Sequence, residues 1–272
     1  MRINTNINAM IATNQMTKNT ALAGSSMEKL STGLRITKAG DDAAGLAVSE
    51  KMRAQIRGME QAERNVQDGI SMVQTAEGAL EEAGNIAQRM RELGVQAGND
   101  TLSSSDRAKI KTELSELQKE MSDISKEAKF NGKELLSANA ATSTITIQAG
   151  ANSEVREIKM TNLASIANSV SITNDLSTVG DAQAFVGKVD KALEAINSGR
   201  STLGTIQNRL EYTANNLTTS TENLTAAESR IRDVDVAKEM VTLSKLNILN
   251  QASQAMVSQA KQQPESVSQL LR

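Results

Sequence analysis

Residues 56–90 read IRGMEQAERNVQDGISMVQTAEGALEEAGNIAQRM. The apolar members fall at Ile56, Met59, Ala62, Val66, Ile70, Val73, Ala76, Leu80, Ala83, Ala87 and Met90, every step being three or four residues. With 3.6 residues to a turn, that spacing marks one face of a helix. Glu60, Glu63, Arg64, Gln67 and Asp68 fall on the outward side. Upstream, Asp41-Asp42 precedes Ala43-Ala44, and Asp is a favoured N-cap; downstream, Gly98-Asn99-Asp100 is a breaker cluster. One helix between these signals would be roughly 60 Å long at ~1.5 Å per residue, too long for a small globule.

The pattern continues on both sides. Ser103 and Asp106 stand at capping-box spacing before a stripe of Ile110, Leu114, Leu117, Met121, Ile124 and Ala128, which Phe130-Asn131-Gly132 ends with a turn dipeptide. Thr144 to Gln148 alternates with period two and is rich in β-branched residues, Gly150-Ala151-Asn152-Ser153 reads as a turn, and Val155 to Met160 alternates again. This is a β-hairpin. The Ser/Thr/Asn-rich stretch 161–179 has no firm period and reads as short strands or loop. Helix resumes by Phe185, with Val189, Leu193, Ile196, Leu203, Leu210, Ala214, Leu217 and Leu224 on one seam and Arg200, Gln207 and Thr221 as polar interruptions. A seam of this length is coiled-coil packing.

Both ends are amphipathic. The N-terminal segment places Ile3, Ile7 and Met10 at helical spacing, then Met16, Ala23, Met27, Leu30 and Leu34 on a second seam, before Gly33 and Gly40 interrupt it. The C-terminal segment carries Val234, Val241, Ile248, Ala252 and Ala255 on one face and Met240, Leu243, Leu246, Leu249 and Met256 on an adjoining one. One partner helix cannot cover so wide an apolar surface. Each buried side chain of this kind contributes on the order of 1.5–3 kcal/mol. In water the segment gains nothing to offset a backbone ordering cost of ~1–2 kcal/mol per residue. Pairing the two ends would still leave the second C-terminal face bare, so neighbouring copies of the chain are its expected cover. The termini should be loose in the monomer and ordered in an assembly.

Composition narrows the alternatives. Among 272 residues the aromatics are Phe130, Phe185 and Tyr212, and Pro264 is the lone proline. Leu, Ile, Val, Met and Ala must build the core, and little interrupts long helices. Lys plus Arg is 30 against 32 for Asp plus Glu, so charge gives no reason to expect nucleic acid or a membrane as partner. With no Cys and no His, disulfides, zinc sites and His-dependent acid/base chemistry are excluded. Gly132-Lys133 and Gly187-Lys188 lack the rest of a phosphate loop. Asp41-Asp42 and Glu81-Glu82 read as a cap and a solvated face, because adjacent helical residues point ~100° apart and share no site. Met27, Met59, Met90 and Met121 read as seam filler. The expected protein is not an enzyme and takes no cofactor. Residues 1–20 contain no continuous apolar run, so no secretory signal is expected, and no stretch approaches a membrane span.

Several phrases, in order, resemble one family. They are Ile3-Asn4-Thr5-Asn6, KLSTGLRI (29–36), DDAAGLA (41–47), NVQDGISMVQTAEG (65–78), QRMRELGVQ (88–96), Phe130-Asn131-Gly132, AAESRIRDVD (226–235) and the closing Leu270-Leu271-Arg272. Together they resemble bacterial flagellin over nearly the whole chain except about 138–180. The resemblance implies a mainly α fold of long antiparallel helices in a coiled-coil-like bundle, with a small β-hairpin region and terminal helices pairing in an inner tube domain. It divides the chain into 1–40 and 235–272 as the two parts of the inner polymerisation domain, 41–140 and 183–234 as the helices of an outer domain, and 141–182 as hairpin and variable segment.

The implied function is a structural subunit that polymerises into the flagellar filament for swimming. The implied polymerisation core is Ile3, Ile7, Met10, Val241, Ile248, Leu249, Ala252 and Met256. The implied partners are further copies of the chain, an export chaperone at the C-terminal segment, and filament cap and junction proteins. The implied location is the extracellular flagellum, reached through the flagellar secretion apparatus without a cleaved signal. The stretch around 88–96 resembles the part of flagellins read by a vertebrate Toll-like receptor, with Arg89, Leu93 and Glu113 at the matching positions; Met90 and Gly94 depart from the commonest residues. The Ser/Thr-rich centre resembles stretches that carry O-linked sugars in some members. Two rival readings remain: a minor hook-filament junction protein of the same family, and a signalling coiled coil, which would show longer uninterrupted heptads and no hairpin.

Overall fold

A computed structural model of the chain describes residues 6–138, 144–171 and 178–270, with side chains described as far as residue 262. Its elements in chain order are helix α1 (Ile7–Thr32), α2 (Ala43–Ala97), α3 (Ser104–Glu127), strands β1 (Lys129–Phe130), β2 (Lys133–Glu134), β3 (Ile145–Gln148) and β4 (Val155–Ile158), then α4 (Leu163–Ser169), α5 (Val179–Arg232) and α6 (Val236–Leu270). The fold is mainly helical, with two small antiparallel strand pairs. Two compact units partition it: Met1–Ala54 with Asn223–Arg272, and Gln55–Glu222.

The helix boundaries follow from local chemistry. Asn6 caps α1 by accepting the Ala9 N–H at 3.0 Å, and Gly33 closes it in the left-handed region at φ 70°. Asp42 Oδ1 accepts the Gly45 N–H at 2.8 Å and so starts α2. Asp41 instead accepts from Thr37 N, Thr37 Oγ1 and Lys38 N, which ties the preceding turn together. At α3, the Ser103 hydroxyl accepts the Asp106 N–H at 3.2 Å and donates to the Asp106 carboxylate at 2.7 Å. Asn131 and Gly132, both at positive φ, make the two-residue turn between β1 and β2.

In the unit spanning 55–222, the stripe that defines α2 is the core: Met59, Ala62, Val66, Val73, Ala76, Leu80, Ala83, Ala87 and Met90 are buried. They meet Phe185, Val189, Ala192, Ile196, Leu203 and Leu210 of α5, with Leu114 and Met121 of α3 buried beside them. α2 and α5 run antiparallel, as Arg91–Asp190 at 2.7 Å, Arg200–Glu77 at 3.9 Å and Thr218–Glu63 at 3.3 Å fix at three heights. On α5 the seam runs through Ala192, with Leu193 half-buried beside it.

The hairpin seats on α2 through glycines. A Cβ on Gly58 would lie 2.9 Å from Ala151 Cβ and 3.1 Å from its Cα, and one on Gly69 would overlap the Ile147 side chain. Between them, Asn65 Nδ2 donates to the Gln148 carbonyl at 3.3 Å. Gly69 rather than Ile70 is therefore the buried residue at that turn, because Ile147 occupies the space. The stretch read as strands or loop after residue 161 contains α4 instead; Asn162 caps it by accepting the Ser165 N–H at 2.8 Å, and Leu163 and Ala167 are buried. Residues 172–177 of that stretch lie outside the described residues.

Candidate self-association surface

In the other unit, α1 and α6 form an antiparallel pair. Asn6 Nδ2 donates to the Ala260 carbonyl at 2.7 Å, and Thr20 Oγ1 lies 3.4 Å from Asn250 Oδ1. At the far end Leu34 bridges Asp233, with Arg35 N–H donating to the Arg232 carbonyl and Val234 N–H to Gly33. The junction is further clasped by ion pairs of Arg232 with Glu50 and of Arg53 with Glu228, the latter at 3.3 Å.

Which residues this pair shields is unexpected. The sheltered side of α1 is Ala9, Ala12, Met16, Asn19, Ala23, Ser26 and Leu30, spaced by three and four throughout. The sheltered side of α6 is Glu239, Leu243, Leu246, Asn250, Ser253, Val257 and Ala260, again in alternating fours and threes. This is heptad packing, but built largely from small and polar side chains; Asn19 and Ser26 are the buried members on α1. The bulky apolar residues point the other way. Ile7, Met10, Ile11, Leu22 and Met27 of α1 are exposed, as are Val236, Met240, Val241, Ile248, Leu249 and Met256 of α6. Met27, expected on the seam with Met16 and Ala23, lies outside it because Ser26 takes the inward position. Met59, Met90 and Met121 are core filler.

The hairpin is thus inverted relative to an ordinary coiled coil, which puts its large side chains inside and its polar ones out. From Leu246 to Ala260 the chain carries no charged residue, so the outward face of α6 has no ionic reason to prefer water. A groove of about 600 Å³ runs along one flank, with Ile11, Ala12 and Gln15 on one wall and Leu249, Ser253 and Met256 on the other. What this surface can do is bury area against another apolar surface.

Of the residues expected in the polymerisation core, Ile7, Met10, Val241, Ile248, Leu249, Ala252 and Met256 are all exposed, Val241 at 70% and Ile248 at 63%. Ile3 lies outside the described residues. The polar seam residues Asn19, Ser26 and Asn250 were not singled out by hydrophobic pattern, although their three-four spacing from Ala12, Met16 and Leu246 is legible.

The second group of expected residues is elsewhere. Arg89 Nη2 donates to Glu113 Oε1 at 3.0 Å across α2 and α3, and Arg89 Nη1 to Glu92 Oε2 at 3.2 Å. The hydrogen bond to Glu113, then that to Glu92, raises the Arg89 pKa above its ordinary value. Leu93, one turn along α2 from Arg89, is only 3% exposed and so is buried rather than on the surface with that pair. The adjacent carboxylates act structurally: Asp42 caps, Asp41 holds a turn, Glu81 sits 3.9 Å from Arg200, and Glu82 accepts from Asn85. Among the described residues, no helix is long and apolar enough to cross a membrane.

Residues 3–141 match the bacterial flagellin N-terminal helical region, and residues 186–271 match the bacterial flagellin C-terminal helical region. A flagellin of Halalkalibacterium halodurans is 52% identical, with all of both chains covered, and a flagellin of Bacillus subtilis is 48% identical, again over all of both. Among solved structures, the crystal structure of Bacillus cereus flagellin is 31% identical and covers 61% of this chain and 94% of its own, at a TM-score of 0.52.

Proposed function

The chain belongs to the bacterial flagellin family, and from that premise we propose how its parts serve the filament. It is a structural subunit that polymerises with its own copies into the flagellar filament, outside the cell. The observation that carries the mechanism is the inverted terminal hairpin: among the described residues, eleven bulky apolar side chains of α1 and α6 face outward from a seam of small and polar residues. Covering them with neighbouring subunits supplies a driving force on the order of 10 kcal/mol per subunit, taking about half of the full burial value for each. The chain acts by assembling and catalyses nothing.

In this reading residues 1–40 and 235–272 form the polymerisation domain. Ile3, Ile7, Met10, Val241, Ile248, Leu249, Ala252 and Met256 are the residues that neighbouring copies cover. The segments 41–140, 141–182 and 183–234 make the outer part. The exposed apolar face of α6 is also what an export chaperone would shield before assembly, and the ends of a growing filament present the same faces to cap and junction proteins. Export through the hollow flagellum supplies the route outward. The exposed Arg89–Glu113 pair, with the buried Leu93 one turn along α2, is the patch a vertebrate Toll-like receptor would read. The relatives' identity as flagellins favours the filament over the junction role.

The test is to remove residues 241–272 and assay polymerisation of the purified chain. The shortened chain is expected to stay monomeric at concentrations where the full chain forms filaments. Filaments from the shortened chain would overturn the reading.

A further inference from the structure

The two units of the chain treat their sulfur differently. There is no cysteine, so the thioethers of the 12 methionines are the only sulfur nucleophiles. Among the described residues, every methionine of the 55–222 unit is buried: Met59, Met72, Met90, Met121 and Met160. The exposed ones are Met10, Met27, Met240 and Met256, each between 53% and 60% exposed, and all four stand on α1 or α6. Met16 and Met52 are half-buried.

The antiparallel pairing of α1 and α6 sets the four exposed sulfurs at two heights. Asn6 meets Ala260 at one end of the hairpin, and Leu34 bridges Asp233 at the other. Met10 and Met256 each stand four residues inward from the Asn6–Ala260 contact, so they lie level with one another. Met27 and Met240 each stand seven residues inward from the Leu34–Asp233 bridge, and they too lie level. The two pairs are roughly 25 Å apart along the hairpin, at ~1.5 Å per residue. Around the Met10–Met256 pair ions are missing from both helices, since residues 3–17 and 246–260 contain no charged side chain.

We propose that Met10, Met27, Met240 and Met256 are an oxidation site of the unassembled chain, at which a peroxide makes sulfoxides that bar the subunit from the polymer. This rests on the filament reading and specifies the chemistry of its apolar faces. With hydrogen peroxide, a lone pair of Met Sδ attacks one peroxide oxygen: the S–O bond forms and the O–O bond breaks. The sulfur is oxidised and the peroxide reduced, and the departing hydroxide takes the proton from the transferred oxygen and leaves as water. The product is a polar, chiral side chain with an acceptor oxygen. Burial against a charge-free apolar surface leaves that oxygen without a donor, a cost the thioether does not carry. Assembly also protects, because neighbours that cover these faces keep peroxide from the sulfur. Oxidation therefore falls on free subunits and spares the polymer. The methionines buried in the 55–222 unit are out of reach in both states.

The experiment treats the full chain with hydrogen peroxide at a dose that oxidises exposed thioethers only, and locates the added oxygen by peptide mass. In the monomer, Met10, Met27, Met240 and Met256 are expected to oxidise well ahead of Met59, Met72, Met90, Met121 and Met160. In preformed polymer the four are expected to resist. The critical concentration of the oxidised chain should rise about tenfold or more, as burial of an unpartnered polar group requires. The two methionine sulfoxide reductases, one for each epimer, should bring it back, which reads the same chemistry without any substitution. The quadruple variant Met10→Leu/Met27→Leu/Met240→Leu/Met256→Leu, compared with itself before and after peroxide, should change by less than about twofold, because leucine has no sulfur to oxidise. Three results would overturn the proposal while leaving the filament reading in place. They are an oxidised chain that polymerises at the untreated concentration, a quadruple variant inhibited as strongly as wild type, and an oxidised monomer with a lowered melting curve. Polymer whose four thioethers oxidise as fast as the monomer's would overturn it too, and would strike Met10 and Met256 from the covered residues. An untreated chain that forms no filament would contradict the filament reading itself.

Discussion

Replacing Ile248 by Ser isolates the outward face of α6 from every contact within the chain. Ile248 is 63% exposed in the single chain, so its side chain has little left to lose there. Covering the remaining two-thirds of an isoleucine contributes roughly 1–2 kcal/mol per subunit, two-thirds of the usual burial value. At tenfold per 1.4 kcal/mol, the critical concentration for polymerisation should rise about five- to thirtyfold. A serine hydroxyl left without a partner in the polymer would push the effect toward the upper end. The monomer's melting temperature should move by no more than about 1 °C, since surface changes away from special features rarely exceed ~0.5 kcal/mol. The assay is sedimentation of polymer over a range of total protein, with calorimetry of the unpolymerised chain as control. An unchanged critical concentration would refute the reasoning, because it would leave this face wet in the polymer. A large loss of monomer stability would refute it differently, by showing that Ile248 already packs within the chain.

Other expectations follow from specific sites. Gly58→Val should lift the β3–β4 hairpin from α2 and cost about 1–3 kcal/mol of monomer stability, read as a lower melting temperature, because the Ala151 backbone cannot yield as a side chain can. Asn19→Leu should order the terminal hairpin in the monomer, seen as stronger amide protection over α1 and α6, because it replaces a buried polar seam residue by an apolar one. Asp41 and Asp106 both have pKa values below the ordinary carboxylate range, Asp41 chiefly through the Lys38 and Thr37 backbone N–H groups and Asp106 chiefly through the Ser103 hydroxyl. Their folded-state values are depressed, so their contribution is present above the unfolded value near ~3.9 and lost as pH falls through the lower folded value. Amide exchange at Thr37, Lys38 and Asp106 should therefore accelerate, relative to neighbouring amides, below about pH 4. Asp41→Asn should remove that pH dependence at Thr37 and Lys38.

Much of this fold is written in the periodicity. The signals at Asp42 and Gly98 bracket α2 as it is observed, and the stripe between them is the core. The Asn131-Gly132 turn, the Ser103 cap and the Thr144–Met160 hairpin were equally legible, because each rests on chemistry local to a few residues. Tertiary choices were less so. At Gly69 the pattern favours Ile70 for the core, yet an incoming Ile147 needs the vacancy that a glycine leaves. α4 was obscured by its Ser and Asn content, although Asn162 as cap and the spacing of Leu163, Ile166, Ala167 and Val170 were present. The inverted seam was hardest to read. A search for large apolar residues finds Met27 and passes over Ser26 and Asn19, and only a partner helix decides which face turns inward.

The charge-free run from Leu246 to Ala260 has a thermodynamic consequence. Attraction between such surfaces is entropic near room temperature and weakens on cooling, whereas attraction between exposed ions is diminished by added electrolyte. Chilling should therefore loosen assembled terminal helices, and excluded salts such as sulfate should tighten them. Cold and excluded salt would then act on these helices in opposite directions.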